Sequence, residues 1–152
     1  MKELTYEQAL SKAAALCSSS ERNSEQIRAK LDTWGVSPDV SERIIEHLKN
    51  EKFIDDSRYC RAFCADKLRY NQWGRIKIRQ ALHLQGIEQT IIEQGLNSLD
   101  EKEYAEILDT LISKKKKSLH EESPYTLKQK LMRFAYSHGF EPELIISRIS
   151  FD

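Results

Sequence analysis

The sequence predicts an all-α protein made of three tandem three-helix repeats, with nine helices in an elongated, right-handed-bundle-like array. Two observations lead to this prediction: helix start signals recur three times in the 152 residues, and each is followed by an apolar helix that ends at a glycine. A third observation disfavours β-structure, since no segment alternates apolar and polar residues as a half-buried strand does. The 5 glycines and 3 prolines also leave little room for long loops.

The first helix of each repeat is predicted from its capping residues. An apolar residue precedes a Thr or Asp at the N-cap, and a polar residue follows three positions after the cap. Thr and Asp there accept a hydrogen bond from a helical N–H group that otherwise has no partner. The first and third sets match a capping box or a close relative of it. The sets are Leu4-Thr5 with Gln8, Ile54-Asp55 with Arg58, and Leu99-Asp100 with Glu103.

The second and third helices of each repeat are predicted from apolar spacing. Each second helix carries an apolar i, i+4 pair and ends at a glycine, which adopts the left-handed conformation at little cost. These sets are Ile27-Leu31-Gly35, Ile78-Leu82-Gly86 and Leu131-Ala135-Gly139. Each third helix repeats apolar residues at helical spacing. Those residues are Ile44, Ile45 and Leu48, then Ile91, Ile92 and Leu96, then Leu144, Ile145 and Ile149.

The predicted domains are repeats at residues 1–53, 54–98 and 99–152. Each is small and buries little apolar area, so we expect hinging between them. The longest loose stretch is expected from Ser113 to Pro124, inside the third repeat.

Composition indicates a cytoplasmic protein. The chain balances 24 basic against 24 acidic residues, so it is not globally basic. No apolar run approaches the roughly 20 residues that span a bilayer. The start of the chain, Met1 to Leu4, lacks the pattern of a signal peptide. Three cysteines at irregular spacing favour a reducing compartment.

The middle repeat contains a specific run, Phe53-Ile54-Asp55-Asp56-Ser57-Arg58-Tyr59, and continues at fixed spacing with Gly74, Ile76, Ile78, Leu82 and Gly86-Ile87. The first repeat adds Arg22, Ser24, Leu31 and Gly35, and the third agrees mainly in its last two helices. In this order the chain resembles the RecX family, bacterial modulators of the recombinase RecA, over nearly its whole length. The resemblance implies the three-repeat fold and docking along the groove of the RecA–DNA filament. It also implies inhibition of recombinase and ATPase action, without an enzymatic activity or a cofactor.

A basic cluster lies between Arg58 and Arg79, a stretch that contains seven basic residues and one acidic residue, Asp66. At about 100° per residue, Arg58, Arg61 and Arg69 share one side of their helix, and Arg75 and Arg79 recur at i, i+4 in the next. We expect a positive surface for DNA phosphates or for an acidic groove on a protein partner. The alternative is a solvated helix face with ordinary ion pairs. The predicted partner- or DNA-binding residues are Arg58, Arg61, Arg69, Arg75, Lys77, Arg79, Lys115, Lys116, Lys128, Lys130 and Arg133.

Two other features leave alternatives open. The four lysines from Lys114 to Lys117 surround a helix end and complement its dipole, so a solvated terminus competes with a DNA or partner contact. Trp34 and Trp73, each followed by a glycine, are expected to anchor neighbouring helices, and base stacking is the alternative.

No catalytic or metal-binding constellation is found in the sequence. Cys60 and Cys64 lie one helical turn apart but lack zinc-ligand spacing, so we expect two small buried side chains. Asp55 is explained as an N-cap residue. We therefore expect a monomer without catalytic machinery, and the resemblance to the RecX family implies that it binds the RecA filament, with the DNA inside that filament as a further candidate partner. The alternative is a stand-alone nucleic-acid-binding protein built of helix-turn-helix-like bundles.

Overall fold

The computed structural model describes residues 3–120 and 123–149, and the chain in these ranges forms nine α-helices and no strand. The all-α prediction is confirmed. The helices are α1 (Tyr6–Ser19), α2 (Ser24–Thr33), α3 (Pro38–Asn50), α4 (Asp56–Asn71), α5 (Arg75–Leu84), α6 (Gln89–Asn97), α7 (Glu101–Ser118), α8 (Pro124–Ser137) and α9 (Pro142–Arg148). None of these helices is both long and apolar enough to cross a membrane.

The chain divides into two compact units. The first unit runs through Tyr59 and includes Gln85–Ile87, and the second comprises Cys60–Leu84 and the described residues from Glu88 onward. Three repeats with the boundaries given above remain a prediction.

The helix starts follow the predicted capping pattern. Thr5 accepts the N–H of Gln8 at 3.1 Å, and the Gln8 side chain accepts the N–H of Thr5 at 2.9 Å, which completes a capping box. Asp55 and Asp100 each accept the N–H three residues ahead, at 3.0 and 2.8 Å. The predicted helix ends have the left-handed backbone that glycine favours, with φ of 79° at Gly35, 79° at Gly86 and 95° at Gly139.

The first unit has an apolar core and a polar seam beside it. The core residues are Ala9, Ala13, Ile27, Leu31, Ile44, Ile45, Leu48 and Ile54. In the seam, the Asp56 carboxylate accepts the backbone N–H of Ser24 at 2.8 Å and its hydroxyl at 2.6 Å. The buried Asn23 and the hydroxyl of Tyr59 both donate to the side-chain oxygen of Gln85, at 2.9 and 2.7 Å. Asp56 therefore binds the first N–H group of α2, whose N-cap is Asn23, whereas its neighbour Asp55 caps its own helix.

The second unit is held by a backbone contact between two turns. The N–H of Gly74 donates to the carbonyl of His138 at 2.7 Å, and the N–H of Ile76 donates to that of Gly139 at 2.9 Å. A Cβ atom on Gly74 would lie 2.4 Å from the backbone of Gly139 and Phe140. Glycine is required at this position because the two turns touch without a side chain between them.

Cys60 and Cys64 are buried in α4, as predicted. Burial raises the pKa of the Cys64 thiol to about 12. No group of residues that would hold a metal ion is found in the described part of the chain.

The predicted loose stretch from Ser113 to Pro124 is wrong in its first half, because α7 continues through Ser118. Lys115, Lys116 and Lys117 lie in the last turn of α7, where their positive charges interact favourably with the helix dipole. Glu121 and Glu122 of the same stretch lie outside the described residues, as do Met1, Lys2 and residues 150–152.

Replacing Gly74 by Ala should destabilise the protein by about 2 kcal/mol or more, because the new methyl group overlaps rigid backbone. Gln80→Ala, at an exposed position of α5, is the matched control and should change stability little. Urea unfolding followed by circular dichroism measures both. Equal stability of the two variants would contradict the close contact.

Asp56→Asn should lower the free energy of unfolding by about 1–2 kcal/mol, because the amide offers one acceptor where the carboxylate accepts two hydrogen bonds. Asp39→Asn, an exposed acid in the first turn of α3, is the control. The same urea titration compares them, and a loss no larger than that of the control would refute the capping role of Asp56.

Candidate partner-binding surface

Arg75, at the start of α5, is enclosed by the second unit, and only 11% of its side chain is exposed. Its guanidinium lies 2.6 Å from the carboxylate of Glu101 and 3.2 Å from that of Glu141. The same group stacks on the ring of Tyr104 at 4.1 Å from its centroid. Two carboxylates and an aromatic face therefore use most of the contacts that Arg75 can make.

Tyr104 extends this cluster. Its hydroxyl accepts the backbone N–H of Arg75 at 2.9 Å and donates to the carboxylate of Glu141. Burial raises the pKa of the Tyr104 hydroxyl far above its ordinary value, and the hydrogen bond to Glu141 adds to this. The ring also packs on Phe140, with centroids 5.1 Å apart. The hydroxyl therefore stays protonated and joins α5 and α7 to the residue that precedes α9.

Arg79 forms a two-pronged ion pair with Glu93 of α6. The two nitrogen–oxygen distances are 2.8 and 3.0 Å, the fork geometry in which guanidinium and carboxylate bind best. The hydrogen bonds that Arg79 donates to the Glu93 carboxylate lower the pKa of that carboxyl and raise the pKa of Arg79. Arg79 is thus neutralised locally by a neighbouring helix.

Arg58 and Arg69 are also ion-paired. Arg69 lies 3.1 Å from Glu103, and Arg58 contacts Glu21 within the first unit. Hydrogen bonds to these carboxylates raise the pKa of both arginines. Each side chain remains about half exposed, at 54% for Arg69 and 42% for Arg58. A partner would therefore meet a paired charge at both positions.

Arg61 and Lys77 have different surroundings. Arg61 is exposed on α4 and has no ion pair with any described residue. The Lys77 ammonium lies 4.7 Å from the ring centroid of Trp73, and that of Lys67 lies 4.8 Å from it. The indole is thus covered by two cations from α4 and α5, which supports the predicted role of Trp73 as an anchor between helices.

Three basic residues of α7 and α8 meet at one open groove of about 500 Å³. Lys115, Lys130 and Arg133 line it, and the ammonium of Lys115 lies 4.8 Å from the ring of Phe134. Lys116 is exposed and borders a separate groove, while Lys128 is half-buried near the start of α8. Three of the predicted residues are therefore brought to a single site.

Two exposed aromatic residues of α8 were not predicted as binding residues from the sequence. Tyr125 and Tyr136 are 74% and 55% exposed on α8. They are eleven positions apart, which at about 100° per residue puts them within about 20° of each other on the helix. This spacing could have identified the two tyrosines from the sequence alone. The acidic partners of the arginines could not have been identified in this way, because they lie far away in the sequence.

Comparison with known proteins finds two domain families in adjacent parts of the chain. Residues 55–96 match "RecX, second three-helix domain", and residues 101–147 match "RecX, third three-helix domain". These ranges contain α4, α5, α7 and α8 and most of α6 and α9.

Curated relatives and a solved structure agree with these matches. "Regulatory protein RecX" of Clostridium botulinum is 35% identical over 130 residues, which cover 82% of this chain and 60% of the relative. "Regulatory protein RecX" of Clostridium tetani is 33% identical, covering 80% of this chain and 56% of the relative. The chain thus spans about six tenths of their length. The crystal structure of RecX from Lactobacillus salivarius shares the fold, with a TM-score of 0.89 at 21% identity, covering 94% of this chain and 93% of that one.

Arg75→Glu should destabilise the protein by about 3 kcal/mol or more, since it would place a third carboxylate between Glu101 and Glu141. Arg61→Glu makes the same charge reversal at an exposed position and should change stability by no more than about 0.5 kcal/mol. Urea unfolding at neutral pH separates the two. If Arg75→Glu were as stable as Arg61→Glu, the buried ion-pair cluster would be refuted.

Proposed function

The chain belongs to the RecX family of regulatory proteins, and we propose that it regulates by binding the RecA–DNA filament and inhibiting the recombinase and ATPase activity of RecA. The observation that carries the proposal is the pair of adjacent RecX domain matches, at residues 55–96 and 101–147. RecA is named as the partner because it is the protein that the RecX family is known to regulate. We extend that role to this chain, which spans about six tenths of the length of those relatives.

The predicted basic residues differ in how accessible their charges are to a partner. Arg61, Lys115, Lys130 and Arg133 lie on exposed or open parts of the second unit, and their charges complement a filament that carries DNA phosphates. The side chains of Arg58, Arg69 and Arg79 are 38–54% exposed and would contact a partner through groups that are already ion-paired. Arg75 would contribute by holding α5 in place, because its guanidinium is enclosed.

The proposal describes a protein that acts by binding and performs no chemical step itself. It places a monomer in the cytoplasm, where its three free cysteines would remain reduced. Inhibition would then rise to a plateau with added protein, as contacts along the filament are filled.

Titration of the protein into a RecA ATPase assay on single-stranded DNA should lower the rate in a saturable manner. Lys130→Glu with Arg133→Glu should weaken inhibition about tenfold, because two cations of the groove become anions. Lys30→Glu with Lys49→Glu, two exposed lysines of α2 and α3, is the control for the charge change. An unchanged ATPase rate at every concentration of the parent protein would refute the proposed function.

The order of addition distinguishes the proposed function from the alternative, in which the protein binds nucleic acid on its own. RecA is first allowed to saturate the DNA, and the protein is added afterwards. A filament-binding regulator still inhibits, since its target is present. A competitor for DNA loses its effect, because RecA already covers the phosphates. Inhibition that disappears under these conditions would favour the alternative.

A further inference from the structure

Positive charge is concentrated around the second half of α7 and α8. Residues 113–137 contain seven basic and two acidic residues, although the whole chain balances 24 against 24. The remainder of the chain is therefore net negative. The basic residues of this segment are Lys114, Lys115, Lys116, Lys117, Lys128, Lys130 and Arg133. Such an asymmetry in a neutral protein produces a local field that attracts polyanions.

The same helix carries an exposed aromatic and apolar stripe. Tyr125 and Tyr136 lie on one face of α8, about three turns or 16 Å apart along the axis. Met132 falls within about 20° of Tyr125 on the same face, and Gln129 within about 40°. Exposed tyrosine rings with few rotatable bonds offer flat apolar surfaces at a low entropic cost. The core side chains of α8, Leu131 and Ala135, lie on another side of the helix.

Arg133 stands between this stripe and the basic groove. It lines the groove with Lys115 and Lys130, and it also borders a second cavity of about 260 Å³ beside Tyr136. That open cavity is mainly apolar and is lined by Met132, Pro142 and Ile145, with Gln129 and Arg133 as the polar residues. Arg133 therefore belongs both to the basic groove and to the cavity beside Tyr136.

From this arrangement we propose that α8 and the end of α7 form a binding strip for single-stranded nucleic acid. Bases stack on Tyr125 and Tyr136, an unstacked base enters the cavity beside Tyr136, and Lys115, Lys130 and Arg133 hold the phosphates. Single strands are favoured over duplexes because only unpaired bases expose the π-faces that the tyrosines would contact. An acidic protein could also pack on the two rings, but the concentration of positive charge favours nucleic acid, whose phosphates carry negative charge more densely.

This inference rests on the proposed function only for its biological context, because the binding of single strands is measured without RecA. Fluorescence anisotropy of a labelled oligothymidylate is titrated with the full chain at several salt concentrations. Contact with three phosphates predicts a log–log slope of about −2 with salt. A duplex of the same length should bind at least about tenfold more weakly than the single strand if base stacking contributes at both tyrosines.

Variants assign the binding to this strip. Tyr136→Ala should weaken binding about tenfold, whereas Tyr136→Phe, which keeps the ring, should bind like the parent. Arg133→Glu should weaken binding and lower the salt slope, while Lys49→Glu on α3 is the matched charge control. Equal binding of duplex and single strand, equal losses in the Phe and Ala variants, or equal losses in the two charge variants would each overturn the proposal. Inhibition of RecA that persists when strand binding is lost would leave the proposed function standing alone.

Discussion

Enclosure of one guanidinium, that of Arg75, is the constraint on which the second unit depends. A buried arginine needs carboxylates nearby, and here they come from Glu101 at the start of α7 and Glu141 before α9. Tyr104 fills the space beneath the guanidinium and holds the backbone of α5 by a hydrogen bond. The position of α7, and therefore of the groove that it forms with α8, is fixed through this cluster.

The parts of the fold that could be predicted from the sequence were those set by local interactions. A capping box such as that of Thr5 and Gln8 lies within four residues, and the left-handed turn at Gly35 is a property of glycine itself. The apolar spacing that identified Leu131 and Ala135 as core residues is equally local. Such signals determine where a helix begins, where it ends and which of its faces is buried, which is why all nine helices were predicted.

The electrostatic surface could be predicted only in part, because ion pairs join residues that are distant in the sequence. Arg69 is 34 positions from Glu103, and Arg75 is 66 positions from Glu141. A helical wheel shows which side of a helix carries a cation but does not show which acid the fold brings to it. Several cations of α4 and α5 thus have internal partners, whereas Arg133 on α8 lies on an open groove.

The contact between the turns at Gly74 and Gly139 also constrains how the family can change in length. Two backbones that touch directly and share hydrogen bonds have no side chain whose size could absorb a shift. An insertion or deletion in either turn would move both partners out of register at once. Helix faces in this region can therefore exchange residues in the course of evolution, while the number of residues in each of these two turns is expected to stay constant.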